Sequence, residues 1–303
     1  MSRKTSLFVL LFLSISLLVA SAQDKPKRTA IPSEVVNSLE THSDVTYAQY
    51  GDREMQLDLF RPKSATGELP AIVCIHGGGW FKGDRSKMTN LAQALAARGY
   101  VTVTISYRLS GEAKFPAAIE DCKAAVRWLR ANATEYGVDE DHIGVTGLSA
   151  GGHLAALTAT SGGVEELEGD GGNADFSSTV QAGIAMGAQS DLESERIHQL
   201  SSRKDDPFYR TFLGAPQSEI PETYALASPR HHLDDSDPPL LFMSGENDDP
   251  STHADGARED LEKLGIPTGY IPIPNAPHSF LGLQKNFDLC IEECDKFFSK
   301  YLK

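Results

Sequence analysis

The feature that most constrains the fold of this 303-residue chain is an apolar run that leads through a glycine-rich turn into a second apolar run. Small and β-branched residues predict a buried strand over residues 143–147, and the Ala- and Leu-rich residues 150–160 predict a helix directly after it. A strand that passes straight into a helix needs a very tight turn, for which Gly147 and Gly151 leave room. The segment therefore predicts a strand–turn–helix unit with Ser149 at the tip of the turn.

Strands and helices are predicted to alternate along most of the remaining chain. Short apolar or β-branched runs predict buried strands over residues 71–75, 101–106, 143–147, 182–186, 240–244 and 269–273. Apolar residues at helical spacing predict helices over residues 88–98, 115–133, 150–160, 254–264 and 281–301. Residues 45–48 and 55–60 predict an antiparallel hairpin around Gly51 and Asp52. The pattern predicts an α/β fold with a mostly parallel, doubly wound sheet.

Two segments do not follow this alternation. Residues 161–175 are rich in Gly, Glu and Asp, which predicts a mobile, solvated surface loop, with a calcium site as the alternative. Residues 188–239 separate two strands by more than a normal connection and predict a small insertion before the strand at 240–244. Four apolar side chains of this insertion are candidates either for lining a pocket or for core packing: Phe208, Tyr209, Phe212 and Leu213.

The N-terminus carries a targeting pattern. Arg3 and Lys4 precede an apolar run over residues 7–20, and small residues follow as far as Ala22. This pattern predicts a secretory signal peptide over residues 1–22. The alternative is an uncleaved anchor, but a bilayer-spanning helix needs about 20 apolar residues. We therefore expect one exported domain over residues 23–303, periplasmic or secreted, with no stable membrane insertion after signal cleavage.

Charge and composition exclude some classes of partner. The formal net charge is -14, and loss of the signal peptide makes the chain more acidic by two units. An acidic chain is a poor partner for nucleic acid, and its long-range field favours neutral over anionic substrates. The motifs described below need neither a metal nor a cofactor, so we expect none.

The four cysteines do not form the pattern of a disulfide-rich protein. Cys74 and Cys122 lie in apolar patterns typical of core residues. Cys290 and Cys294 are four apart on a predicted helix, where β-carbons lie about 5–6 Å apart, against about 3.5–4.5 Å in a disulfide. A bridge between them would require local distortion, and export leaves other pairings open.

Two motifs predict the parts of a nucleophilic site. GLSAG at residues 147–151, between a strand and a helix, is typical of a nucleophile elbow, with a phosphate-binding turn as the alternative. HGGGW at residues 76–80 follows another strand, and its glycines let backbone N–H groups converge on one point, as an oxyanion hole requires. Gly78 and Gly79 are the predicted donors, Ala150 the third, and His76 is expected to brace the loop.

The base and the acid are expected after the nucleophile. His278 follows the last predicted strand in a turn-rich loop and is the preferred base over His153, His231, His232 and His253. A carboxylate that follows the strand at residues 240–244 would orient that imidazole. Asp248 is preferred, with Asp249 and Asp191 as alternatives.

These residues resemble the esterase/lipase branch of the α/β hydrolases, which includes bacterial xylan acetyl esterases and feruloyl-esterase-like (BD-FAE-type) carboxylesterases. The resemblance spans residues 45–302 and includes HGGGW, SYRL at 106–109, FPAAIED at 115–121, GLSAGGHL at 147–154 and ASP at 227–229. It implies a triad of Ser149, Asp248 and His278 that forms an acyl-enzyme. The chain departs from many relatives in having Ser244 where they have His before Gly, and in having Asp249 after the acid.

The leading hypothesis is an exported serine carboxylesterase that hydrolyses short-chain acyl esters, including acetyl esters of polysaccharides. The expected partner is thus a small-molecule or polysaccharide-linked ester. The alternatives are a peptidase or amidase with the same triad, and a non-catalytic binding protein that keeps the fold. The sequence specifies neither the natural substrate nor the oligomeric state.

Overall fold

The computed structural model describes residues 27–303, so the predicted signal peptide, residues 1–22, lies outside the described residues. Its centre is an eight-stranded sheet with the order β1-β2-β4-β3-β5-β6-β7-β8. The strands are β1 Leu39–Tyr50, β2 Arg53–Pro62, β3 Leu69–Ile75, β4 Val101–Ile105, β5 Val138–Leu148, β6 Ala182–Met186, β7 Leu240–Gly245 and β8 Thr268–Ile273. β1 and β2 form the predicted antiparallel hairpin at one edge, β2 pairs antiparallel with β4, and every later pairing is parallel.

Helices cover both faces of the sheet. They are α1 Ser33–Asn37, α2 Thr89–Ala96, α3 Ala117–Ala131, α4 Ala133–Tyr136, α5 Ala150–Thr160, α6 Glu195–Ser201, α7 Tyr209–Leu213, α8 Pro221–Leu226, α9 Asp255–Leu264 and α10 Gln284–Leu302. α3, α5 and α9 pack on one face, and α2 and α10 on the other. Alternate residues of β3 enter opposite cores, Val73 with the first group and Ile72 with the second, which is why the central strands are apolar throughout.

The predicted α/β class and the predicted elements are confirmed, but two strands begin five or more residues before their predicted starts. β5 begins at Val138 rather than at residue 143, because its first residues include the exposed Glu140 and Asp141 and lack an apolar pattern. β1 begins at Leu39 rather than at residue 45, and register shifts within it break the alternation that a strand prediction needs.

The acidic segment 161–175 differs from the solvated loop predicted from its composition. Leu167 is fully buried. The Glu168 carboxylate accepts hydrogen bonds from Lys123 and Arg127, both of α3, at 2.7 Å each. Lys123 is itself buried, and burial lowers the pKa of its ammonium while Glu168 opposes that shift. The segment is therefore anchored to α3 by two ion pairs of Glu168 rather than left in solvent.

The predicted insertion is present between β6 and β7 and contains α6, α7 and α8. Phe212 and Leu213 of α7 are buried in the core, and Phe212 stacks on Trp80 with ring centroids 4.6 Å apart. The insertion is thus packed against the loop that carries the HGGGW motif.

All four cysteines are free and buried, and Cys74 and Cys122 are core residues as predicted. Among residues 27–303, no helix is both long and apolar enough to cross a bilayer. The same residues contain no group of three or more His, Cys, Asp or Glu side chains placed to hold a metal ion.

Candidate active site

Ser149 lies at the tip of the turn between β5 and α5, with φ 60° and ψ -123°, a conformation that non-glycine residues rarely adopt. A β-carbon at Gly147 would lie 2.2 Å from the Gly151 carbonyl oxygen, and one at Gly151 would lie 2.1 Å from the carbonyl oxygen of Ile75. Both positions therefore admit only glycine. The tight turn holds the Ser149 hydroxyl at the N-terminus of α5, and the surrounding structure maintains the strained backbone of Ser149.

Three predicted residues meet at the carboxyl edge of the sheet. The Nε2 atom of His278 lies 2.8 Å from the Oγ of Ser149, and its Nδ1 lies 2.7 Å from the Oδ2 of Asp248. Because the carboxylate can only accept, Nδ1–H is the donor, which leaves Nε2 to accept the hydroxyl proton of Ser149. The side chain of Asp248 is 6% exposed and that of His278 45%, so the acid is shielded while the imidazole faces the cleft.

Two loops at the ends of β7 and β8 hold the acid beside the base. The backbone N–H of Asn247 donates to the Ala276 carbonyl at 3.0 Å, and that of Asn275 donates to the Glu246 carboxylate at 2.8 Å. Gly245 has no room for a side chain, since a β-carbon there would lie 2.2 Å from the Ala276 oxygen. The close approach of these loops fixes the separation of Asp248 and His278.

The two alternative acids have other partners. Asp249 accepts from the Arg196 guanidinium at 2.6 Å and from the Ser251 N–H at 3.0 Å. Burial alone would raise the pKa of the Asp249 carboxyl, but these hydrogen bonds outweigh it and lower that pKa to about 2. Asp191 accepts from Arg230 at 3.0 Å. Of the three carboxylates, Asp248 is the one that the structure places against His278.

Of the other candidate bases, His153, His231 and His232 have other partners, and His253 forms no hydrogen bond with Ser149 among the described residues. His153 is fully buried, where its Nδ1 accepts from the Trp80 indole at 3.3 Å and its Nε2 donates to the Ala227 carbonyl at 2.7 Å. Burial lowers the pKa of His153 to about 4, with the hydrogen bond to Ala227 opposing that shift. His231 lies 3.1 Å from a Glu193 carboxylate oxygen, and His232 donates to a backbone carbonyl.

The predicted oxyanion donors lie on the loop after β3 and at the start of α5. Gly78 and Gly79 have φ of +133° and +61°, and a β-carbon at Gly78 would lie 1.8 Å from the Lys82 carbonyl oxygen. Within residues 27–303, the N–H groups of Gly78 and Gly79 donate no hydrogen bond. Ala150 is the first residue of α5, so its N–H has no acceptor in the preceding turn. Donors left free in this way can serve a bound oxyanion.

His76 lies beneath this loop. Its ring stacks on Tyr107 with centroids 4.3 Å apart, and the Tyr107 hydroxyl donates to the His76 carbonyl at 3.1 Å. The ring is fully buried, and this burial lowers the pKa of the imidazole, so a neutral side chain is favoured. His76 thus lies under the loop without a hydrogen bond to Ser149 among the described residues, and its bracing role stays a prediction.

A cleft of about 1220 Å³ opens over Ser149. α2 contributes Leu91 to its lining, α10 contributes Phe287, and the insertion contributes Phe208 and Tyr209. Phe208 is 43% exposed, whereas Tyr209 is buried. Two of the four aromatic and aliphatic candidates in the insertion thus line the cleft, and the other two pack in the core.

Sequence reasoning missed Arg196, which joins the insertion to the segment that follows Asp248. No local signal could have identified it, because its partner Asp249 is 53 positions away. It also missed Lys82, which lines the cleft two residues after the HGGGW motif. Because Lys82 follows that motif so closely, the sequence could have placed it near the oxyanion loop.

A family model, curated relatives and solved structures all relate this chain to esterases. Residues 57–257 match the family model BD-FAE. Esterase LipQ of Mycobacterium tuberculosis is 34% identical over 246 residues, which cover 78% of this chain and 57% of LipQ. The chain therefore spans little more than half the length of this curated relative.

Solved structures are similar over most of the chain. A truncated carbohydrate esterase from gut microbiota has a TM-score of 0.74 and 26% identity, covering 86% of this chain and 95% of that one. Esterase 2 of Thermogutta terrifontis with bound propionate has a TM-score of 0.72 and 26% identity, covering 87% of this chain and 94% of that one. From the family match and the shared fold, the chain belongs to the BD-FAE family of α/β-hydrolase esterases.

Proposed function

We propose that this protein is an exported serine carboxylesterase that hydrolyses short-chain acyl esters, including acetyl esters of polysaccharides. The observation that carries the proposal is the continuous hydrogen-bonded line from Ser149 through His278 to Asp248, with spacings of 2.8 and 2.7 Å. Distances in this range allow proton transfer between nucleophile and base without rearrangement.

In the first half of the reaction, Ser149 Oγ attacks the ester carbonyl carbon while His278 Nε2 accepts the hydroxyl proton. The negative charge that develops on the carbonyl oxygen is met by the N–H groups of Gly78, Gly79 and Ala150. Collapse of the tetrahedral intermediate breaks the bond to the alcohol oxygen, which takes the proton from His278. An acyl group then remains on Ser149.

In the second half, water takes the place of the alcohol. His278 accepts a proton from that water as its oxygen attacks the acyl carbon, and it returns the proton to Ser149 Oγ as the ester bond to the enzyme breaks. Asp248 holds Nδ1–H throughout and stabilises the imidazolium that forms twice in each cycle. Hydrolysis therefore needs only the described side chains, backbone N–H groups and water.

The substrate class rests on relatives and on the N-terminal pattern. One similar structure is a carbohydrate esterase and another is an esterase with bound propionate, which supports short acyl groups and a carbohydrate alcohol. The signal pattern at residues 1–22 supports export, where acetylated polysaccharides are met.

The proposal is tested with residues 23–303 and a series of 4-nitrophenyl esters from acetate to octanoate. We expect kcat/KM to be highest for the shortest acyl groups, and Ser149→Ala to lose at least about 10³-fold in kcat. Ser64→Ala, at an exposed serine just after the end of β2 opposite to the cleft, is the matched control. Equal rates for wild type and Ser149→Ala would refute the proposal.

A further inference from the structure

The cleft is lined by an excess of positive charge, whereas the chain as a whole carries an excess of negative charge. The whole chain has 42 acidic and 28 basic residues. Yet the cleft is lined by more cations than carboxylates: Arg28, Lys82, Lys87, Arg196 and Arg203 against Asp205, Asp206 and Asp249. A local field of this kind draws anions to a site even when the protein as a whole repels them.

Most of these cations are not neutralised by neighbours. Arg196 pairs with Asp249, but within residues 27–303 Lys82, Lys87 and Arg203 form no salt bridge to a carboxylate. The Asp206 carboxylate accepts hydrogen bonds from the N–H groups of Phe208 and Arg210, and among the described residues neither Asp205 nor Asp206 forms an ion pair with a cation of the cleft. The three free cations therefore remain available to a ligand in the cleft.

One of them stands beside an aromatic surface next to the oxyanion loop. The Nζ of Lys82 lies 5.3 Å from the ring centroid of Phe81, and that ring lies 5.9 Å from the ring of Phe208. Phe208 also covers Gly79, where a β-carbon would lie 2.7 Å from its ring. Phe208 is the exposed ring of the two. An exposed aromatic face can pack against the apolar face of a sugar ring, and an adjacent ammonium can bind a carboxylate on that ring.

We propose that the cleft selects esters whose alcohol part carries a carboxylate, and that its natural substrate is an acetylated glycan containing uronate residues. The inference rests on the proposed esterase function, because a cleft of about 1220 Å³ greatly exceeds an acetyl group and must receive mainly the alcohol part. Lys82 and Arg203 bind the carboxylate from the two sides of the cleft, the oxyanion loop and the insertion. Phe208, which lines the cleft, supports the sugar ring, and Phe81 packs behind it.

Two small acetyl esters isolate the contribution of the carboxylate. They are 4-acetoxyphenylacetate and 4-acetoxyphenylacetamide. The first carries a carboxylate where the second carries a neutral amide, and in both a methylene separates that group from the ring of the leaving phenol. We expect wild type at low salt to favour the carboxylate about fivefold in kcat/KM, the effect of about one close charge pair in water. Raising the salt to about 0.5 M should remove most of that preference.

The variants Lys82→Gln and Arg203→Gln test which cations are responsible. Each should lower the preference ratio by roughly two- to fivefold. Lys63→Gln makes the same charge change at the end of β2 opposite to the cleft and should leave the ratio unchanged. Because the ratio compares two substrates on one protein, a variant that is merely less well folded lowers both rates and does not alter it.

Polymers test the glycan itself. Acetate release is compared between acetylated polygalacturonate and the same polymer after methyl esterification of its carboxylates, and we expect faster release from the free-carboxylate form. A ratio of one or less with either substrate pair, or a ratio that neither variant changes, would overturn the inference. The amide ester separates the two proposals, because its Ser149-dependent hydrolysis supports the esterase function whatever the ratio is.

Discussion

Asp248 and Asp249 are consecutive in the chain, but only Asp248 faces the imidazole of His278, at 2.7 Å. The Asp249 carboxylate turns to Arg196, while its backbone N–H donates to the other oxygen of Asp248 at 2.7 Å. The second aspartate therefore helps to orient the first through the backbone and through its own attachment to the insertion.

This division predicts unequal effects of the same substitution. Asp248→Asn should lower kcat for 4-nitrophenyl acetate by about 10³–10⁴-fold, because an amide no longer holds the required imidazole tautomer. Asp249→Asn keeps the backbone N–H and should cost less than about tenfold. Steady-state kinetics of the two purified variants measure both values. Similar losses in both would contradict the assignment of the acid.

The sequence alone did not determine which acidic residue orients His278. Ser149 was predictable because its motif, strand and helix are contiguous. His278 and Asp248 were predicted from chain order, because each follows a strand. Asp249, however, is the same residue type as Asp248 and is its neighbour in the chain. Which carboxylate faces the imidazole depends on how the turn after β7 folds, and sequence spacing does not encode that.

The elbow glycine makes a prediction about geometry. Gly147→Ala places a β-carbon 2.2 Å from the Gly151 carbonyl oxygen, so the turn must shift and the Ser149 hydroxyl with it. A displacement of about 1 Å costs on the order of 10²-fold in rate, which we expect in kcat per folded molecule. Gly269→Ala is the matched control in another strand, since its β-carbon would meet only Leu241, at 3.4 Å. Equal kcat values for the two variants, normalised by circular dichroism, would contradict this account of the turn.

His153 predicts a pH dependence of stability. Burial lowers its pKa to about 4, despite the opposing hydrogen bond to Ala227, whereas an unfolded histidine titrates near 6.5. Between these values the unfolded chain binds a proton that the folded chain does not, so the free energy of unfolding falls as pH drops from about 6.5 towards 4, by up to about 1.4 kcal/mol per pH unit.

The His153→Gln variant removes this titration and leaves the other histidines in place. Urea unfolding of wild type and variant between about pH 4.5 and 7.5 should show the wild type losing its advantage as the solution becomes more acidic. If the stabilities of the two proteins changed with pH in parallel, folding would not lower the pKa of His153, and this prediction would be wrong.

The insertion illustrates the other limit of prediction. Its length was evident from the chain, but Arg196, Arg203 and Phe208 gain their positions from contacts with the loops after β3 and β7, far away in sequence. For the same reason, the net charge of the chain, which favours neutral over anionic substrates, did not predict the excess of cations in the cleft. It counts residues over the whole surface, whereas a substrate meets only the few that folding brings to one place.

The central claim is that His278 activates Ser149 as a nucleophile. Paraoxon, a phosphate triester that phosphorylates activated serine hydroxyls, tests it directly when peptide mass spectrometry follows the label. We expect one diethylphosphoryl group on Ser149, in step with loss of esterase activity, and labelling slowed by about 10²–10⁴-fold in His278→Ala. Inactivation with the label on another residue, or equally fast labelling of Ser149 in His278→Ala, would contradict the claim.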